Sequence, residues 1–521
     1  MNRVERRLQQ GSLGIFCLFL ALPALIYLAG GQADGFVHGQ PQPVWPTTAA
    51  VFSADPEGRD QLAQALLARS TLRREAISLR NRSTWEWLGY IDTRKVVSGA
   101  PGWLFYKKSL TAWDCSEHQT LDQGLHRLRL LIDLADVNDL PFAIASAPNK
   151  ATILPEKRIG RAAAYSRCFE VYEARLRSAL RARPSPRLVD HADVLVPIHE
   201  EDDVYAHMDT HWTRKSAYRA MAQLAARLPG TRSAEQTPEI EFAEKNTDLG
   251  NQMLLLPQRE WVAGVRLPAG STPPSPADSP RIGIVHDSFY QLARDYLINM
   301  IPNVTPLNMN FPDVRGKSLD EFDLLVVASA ERALLTRMDS RRHFGWHSNV
   351  GEWLLNRMSD AAQRCDWSRA QDLLPEIETK DLKLGVTGKL ISKGKVPQLL
   401  SRLPHAEPGH SLCLELRVGT KLPIATKRFA RLYLDAQDTL INEADPVSEH
   451  VVGRTIEFPY GLDRERVALV LPPSALGRRL RVDFHGLKPN TQLLALRIAP
   501  SGDLPTPSNP IEVGKGRTRV D

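Results

Sequence analysis

Ser288 lies in RIGIVHDSFYQLARDYL (281–297), where an apolar run breaks at a short polar element and an amphipathic helix begins. A sharp strand-to-helix turn of that kind lifts a hydroxyl clear of a sheet, and the first N–H groups of the helix point at any oxyanion formed there. A second segment, YAHMDTHWT (205–213), supplies an acid and a base. Acyl transfer or hydrolysis needs a nucleophile, a base to take its proton and a group to orient that base, and Ser288, His211 and Asp209 are those three types. Residues two apart on an extended segment face the same way, so Asp209 and His211 are expected on one face. This chemistry calls for no cofactor.

The same segments admit other readings. His207, Asp209 and His211 alternate and could offer three metal ligands on one strand face, but that leaves Ser288 without a role, so no metal is assigned. Tyr205 and Trp212 read as local packing or as walls of a sugar site. Asn149 and Lys150 follow an apolar run and could face the cleft, with loop capping or solvent exposure as the plainer reading. These four are the substrate-binding candidates. Glu331 and Arg332 could pair at a helix start, and Asp287 reads as a helix N-terminal acid rather than a proton carrier.

The elements that must position these residues alternate. VVSGAPGWLFYKKSL (96–110) has apolar and aromatic residues on either side of a Gly/Pro turn and predicts a hairpin. Leu121–Val137 has helical period, PFAIASAP from Pro141 is a buried strand, Ala162–Arg183 is helical, and RLVDHADVLV from Arg187 is another strand. Ala217, Met221, Leu224 and Leu228 place a helix directly after the DTHWT segment. The strand before Ser288, a helix carrying Phe289, Leu292, Ala293 and Tyr296, TPLNMNF, and FDLLVVASAERALL complete the series. Alternation of this kind predicts an α/β fold with a doubly wound, mainly parallel sheet, whose active site sits at the carboxyl ends of the strands.

From about Leu382 the pattern changes to short alternating stretches separated by turn residues, among them SLCLELRVG, RFARLYLDA, RVALVLPP and LLALRIAP, which predicts a β-sandwich. The expected organisation is therefore 1–33 as cytoplasmic tip and transmembrane signal anchor, 34–95 as tether and helical segment, and 96–345 as catalytic domain. A connecting segment (346–381), the sandwich (382–500) and a loose tail (501–521) follow. Phe458, Tyr460 and Tyr433 are aromatic candidates for a sugar-binding sandwich face, against core burial.

The anchor rests on Arg3, Arg6 and Arg7 preceding Gly11–Gly31, a stretch without charge, after which no Lys or Arg occurs until Arg59. The positive-inside rule then leaves the N-terminus in the cytoplasm and the body outside it, whether the stretch is kept as an anchor, as favoured here, or cleaved as a signal peptide. Apart from Cys17 in the apolar stretch, four cysteines remain, and proximity favours Cys115 with Cys168 and Cys365 with Cys413 among three possible pairings. The net charge of +6 is spread along the chain with no Lys/Arg patch interleaved with aromatics, so nucleic-acid binding is excluded.

These residues resemble the SGNH-hydrolase-like acetyltransferases of bacterial exopolysaccharide modification, including periplasmic alginate O-acetyltransferases. The resemblance spans roughly Val96–Leu335 through SGAPGWLFY, APNKATILPE, VYAHMDTHWT, HDSF and LLVVASAER. The Asp-x-His preceding the serine makes the motif order look circularly permuted against ordinary SGNH enzymes. His286 and Ser216 stand where many relatives carry Gly. The resemblance implies that Ser288 carries an acyl group, His211 is general base and acid, and Asp209 orients it. It also implies a polysaccharide acceptor and an integral-membrane partner that supplies acetyl groups. An O-acetyl esterase and a non-catalytic glycan-binding scaffold of an export complex are the alternatives.

Overall fold

The computed structural model describes residues 47, 56–69, 71–111, 118–182, 184–200, 204–229, 239–266, 279–309, 318–338, 344 and 348–373. Farther on it describes 378–380, 382–384, 390–392, 398–404, 411–419, 429–436, 455–459, 466–476, 479–485 and 492–501. The expected anchor, most of the tether and the tail lie outside the described residues. No described helix is long and apolar enough to cross a membrane.

Among the described residues, nine strands precede the C-terminal region. They are β1 (Val96–Ser98), β2 (Leu104–Tyr106), β3 (Phe142–Ala147), β4 (Leu188–Asp190), β5 (Glu239–Lys245), β6 (Glu260–Arg266), β7 (Ile282–His286), β8 (Val304–Asn308) and β9 (Leu324–Ala330). Five of them form a parallel sheet in the order β4-β3-β9-β7-β8. Every residue of β3, β7 and β9 is buried, as expected where both faces of a parallel sheet are covered. The packing beneath β7 is close: a Cβ at Gly283 would come within 2.8 Å of the Phe322 ring. The strand that leads to Ser288 is thereby fixed from below.

The Gly/Pro-turn hairpin forms as expected, with Val96 opposite Tyr106. The helix after DTHWT runs Arg214–Ala225, buries Ala217, Met221 and Leu224, and starts at Thr213, whose hydroxyl accepts from Ser216 N. The Thr213 hydroxyl in turn donates to Ser216 Oγ (3.0 Å), which gives that position a capping role.

Two elements differ from expectation. The strand from Arg187 ends at Asp190, because the Asp190 carboxylate accepts from Ala192 N (3.1 Å) and turns the chain into a helix at Ala192–Leu195. The helix after Ser288 is split into Ser288–Gln291 and Arg294–Met300, with a tighter Ala293 N–Tyr290 O bond (3.0 Å) between them.

In the C-terminal region all the alternating stretches are strands. Gln371–Asp372, Gln492–Pro500, Leu412–Gly419 and Arg466–Val470 form one antiparallel sheet. Glu378–Lys380, Gln398–Arg402, Arg479–His485, Phe429–Ala436 and Thr455–Pro459 form a second. Leu414 and Leu416 of the first and Leu432, Val482 and Phe484 of the second belong to one buried core, the pattern of a sandwich. Asn138 ties this region to the α/β part by exchanging two hydrogen bonds with the Val470 backbone (2.9 and 3.1 Å). Tyr433 is buried with Arg481 over its ring, so it is a core residue, while the side chains of Phe458 and Tyr460 lie outside the described residues. Cys365 and Cys413 form a disulfide, and Cys168 is disulfide-bonded too; its expected partner Cys115 lies outside the described residues.

Candidate active site

The loop from Tyr205 to Trp212 and the turn after β7 meet at the carboxyl end of the parallel sheet. His211 Nε2 is 3.2 Å from Ser288 Oγ, and His211 Nδ1 is 2.8 Å from Asp209 Oδ1. Ser288 is exposed, His211 half-buried and Asp209 buried, a gradient from solvent to orienting acid. With Asp209 accepting at Nδ1, the ring presents Nε2 as acceptor to the serine hydroxyl.

Asp209 and His211 do not lie on an extended strand. Tyr205 and Trp212 form an isolated antiparallel bridge, and the residues between them loop out. Inside that loop Asp209 Oδ1 also accepts from His211 N (2.9 Å), a side-chain-to-backbone turn that places acid and base together. His207 points elsewhere: its ring stacks on Trp103 (4.2 Å between centroids). The three alternating residues therefore do not converge as metal ligands.

Trp212 locks the loop to the serine turn. Its indole N–H donates to Phe289 O (3.2 Å), and its ring packs edge-on against Phe289 and Tyr290. Phe289 also stacks on His211, with centroids 4.9 Å apart. Asp287 is the helix cap expected of it: Oδ1 accepts from Phe289 N (3.0 Å), while Oδ2 accepts from Ala330 N (2.8 Å) and Arg337 (2.6 Å). The Phe289 N–H is thus committed to the Asp287 carboxylate. His286 is buried, with Nδ1 2.9 Å from Asp287 O, and burial lowers its pKa.

The four substrate-binding candidates are buried. Tyr205 is hydrogen-bonded to Pro148 O, and Trp212 is committed as above. Asn149 receives Arg332 at its side-chain oxygen (3.2 Å) and donates its backbone N–H to Glu331 (2.9 Å). Glu331 pairs with Arg177 (2.9 Å) rather than with Arg332. Lys150 donates to the carbonyls of Leu104 (2.8 Å), Ala206 (2.7 Å), His207 (2.6 Å) and Asp209 (3.1 Å). Their polar atoms hold neighbouring loops together. Burial pulls the Lys150 ammonium down to about 7 against the opposing charges of Glu260, Asp209 and Asp248.

Replacing Lys150 by Met is expected to strand those carbonyls, lowering stability by about 2–4 kcal/mol and acetyl-ester turnover with it. Chemical denaturation alongside turnover checks this, and an unchanged midpoint would contradict the bracing role.

Three charged residues at the site escaped the sequence reading. Asp248, in a π-helical segment (Asp248–Met253), accepts from Thr210 N (2.7 Å) and from the Thr210 hydroxyl, and its Oδ2 lies 3.6 Å from His211 Nδ1. Lys245 Nζ is 2.9 Å from Asp209 Oδ2. Glu260 accepts from His207 N and, at 2.9 Å, from Met208 N. Burial would raise the Asp209 carboxyl, but the His211 hydrogen bond and charge, with Lys245, hold it well below the usual carboxylate range. Burial and the Asp209 charge raise Asp248.

Asp209, His211 and Asp248 are close enough to offer three atoms to one cation. Their donors are already engaged with one another, with Thr210 and with the Lys245 ammonium, which is what a base-orienting network needs and what a metal would have to displace.

The parallel sheet thus carries a serine just past the end of β7, faced by an Asp-x-His loop. Residues 96–283 match the family model described as the SGNH hydrolase-like domain of acetyltransferase AlgX, which takes in Asp209 and His211 and ends shortly before Ser288. Among solved structures, the O-acetyltransferase domain of Pseudomonas putida AlgJ is similar at 18% identity over 47% of this chain and 94% of its own, with a TM-score of 0.32. Pseudomonas aeruginosa AlgX is similar at 12% identity over 78% and 94%, TM-score 0.32, and Bacillus cereus PatB1 at 10% over 47% and 96%, TM-score 0.32. No curated protein matches.

Proposed function

We propose that this chain is an extracytoplasmic O-acetyltransferase that passes acetyl groups through Ser288 to hydroxyls of a cell-surface or secreted polysaccharide. The observation that carries the reading is the chain of contacts Ser288 Oγ–His211 Nε2 (3.2 Å) and His211 Nδ1–Asp209 Oδ1 (2.8 Å). His211 takes the hydroxyl proton as Ser288 Oγ bonds to the acetyl carbonyl carbon. Collapse of the tetrahedral intermediate expels the donor's oxygen, which leaves with the proton from His211. A sugar hydroxyl then gives its proton to His211, attacks the acetyl-serine, and Ser288 recovers the proton as its ester bond breaks.

The unit 96–345 would carry the chemistry and the sandwich (382–500) would hold polymer. The stretch 1–33 would anchor the body on the periplasmic side of an inner membrane, beside an integral-membrane acetyl donor. Incubation of the protein with an activated acetyl ester and acceptor oligosaccharides tests the transfer step. Acetyl recovered on the glycan supports it; acetyl recovered as free acetate alone, whatever acceptor is offered, makes the protein an esterase.

A further inference from the structure

We propose that Lys245 is a positioning residue for the catalytic acid, and that the β5–β6 hairpin serves to deliver it to Asp209. The inference rests on the serine reading above.

β5 contributes little to the core. Glu239, Ile240, Phe242, Ala243 and Glu244 are exposed, Phe242 by 68%, so hydrophobic burial does not explain why this strand is there. What the hairpin does contribute is at the end where the connecting segment joins its strands, where Lys245 stands directly opposite Glu260. The two residues grip the same loop at different points. Glu260 takes the backbone N–H groups of His207 and Met208, and Lys245 takes the outer oxygen of Asp209.

The charges around Asp209 give that contact its consequence. Oδ1 is fully used by His211, through N (2.9 Å) and Nδ1 (2.8 Å). Oδ2 has the Asp248 N–H at 3.3 Å and the Lys245 ammonium at 2.9 Å. Asp248 brings a second carboxylate to the same imidazole from the π-helical segment. Lys150 faces the loop from the Lys150–Ile153 helix, but its ammonium is bound to carbonyls. Arg332 comes from the helix after β9 and lies over the Phe289 ring, with its guanidinium on Asn149. Glu260 adds a further negative charge from β6. Among the described residues Lys245 is therefore the lysine whose ammonium pairs with the orienting carboxylate, beside the acids Asp248 and Glu260, while Lys150 and Arg332 are engaged elsewhere. Two carboxylates beside one imidazole compete for a proton unless one is held ionised, and an ammonium at hydrogen-bond distance does that. Removing it leaves uncompensated negative charge around the ring, which then gives up its proton at higher pH.

The test uses the full-length protein as wild type, Lys245→Met, Lys245→Arg and Ser288→Ala. One readout is the pH dependence of kcat/KM for release of acetyl from an activated ester. The other is the pH at which the downfield proton NMR signal of the His211–Asp209 hydrogen bond titrates. Lys245→Met is expected to lower kcat/KM by about 10–100-fold and to move both the acid limb and the NMR transition up by about one pH unit. Lys245→Arg is expected to restore both, because a guanidinium can hold the same oxygen. A Lys245→Met protein whose acid limb and NMR transition stay at wild-type pH overturns the proposal, even if it is less active, because a merely structural loss moves neither. Equal turnover by wild type and Ser288→Ala would instead remove the serine reading, and the NMR transition would still decide the role of Lys245.

Discussion

Ser288→Ala is expected to lower acetyl-ester turnover by about 10^4-fold or more, with the fold and the loop contacts intact. The hydroxyl is exposed, so its loss creates no cavity, and its polar contact in the structure is with His211 Nε2 (3.2 Å). The damage should therefore fall on kcat, not on stability. A variant with wild-type turnover would place the nucleophile elsewhere.

The second large effect belongs to Asp209. Asn in its place offers His211 Nδ1 an amide that can favour the wrong tautomer, and loses the charge that supports the imidazolium as it forms, a change that costs about 10^4-fold in a comparable triad. Here Asp248 Oδ2 stands 3.6 Å from the same nitrogen and can take over part of the role. Asp209→Asn is accordingly expected to lower kcat by about 10^3-fold, somewhat less than the triad value, and Asp209→Asn/Asp248→Asn to fall further toward the level of Ser288→Ala. Steady-state kinetics of the two single variants and the double variant decide this. If the double variant is no worse than Asp209→Asn, Asp248 is only an anchor for Thr210.

The catalytic types and the frame that holds them were legible in the sequence because they depend on local pattern. A buried apolar run before Ser288, the Asp-x-His spacing, the Thr213 cap and the alternation of strands and helices are each written within a few residues. The strand stretches of the C-terminal region are equally local, since alternation declares them one by one. What was not legible depends on distant partners. Lys245, Asp248 and Glu260 lie 36, 38 and 53 residues beyond the loop residues Asp209, Thr210 and His207 that they contact, and nothing in their own segments marks them.

Lys150 illustrates the same limit from the other side. A lysine after a strand reads as solvated or cleft-facing, because burying an ammonium is costly. Four backbone carbonyls, drawn from β2 and the His211 loop, offset that cost only once the fold has brought them together. The extended geometry expected for Asp209 and His211 failed for a related reason: the Asp209 carboxylate competes for the backbone N–H of His211 and curls the segment into a turn. The acid and base still meet, by a different local geometry.

The proposed transfer turns on Ser288 carrying the acetyl group. Rapid quenching of the protein with an activated acetyl ester, followed by mass spectrometry of its proteolytic peptides, tests it most directly. An acetyl group is expected on the peptide containing Ser288, absent from Ser288→Ala and discharged when acceptor glycan is added. Full turnover with acetyl on another residue, or with no acetyl on the Ser288 peptide under conditions that slow its discharge, would contradict it.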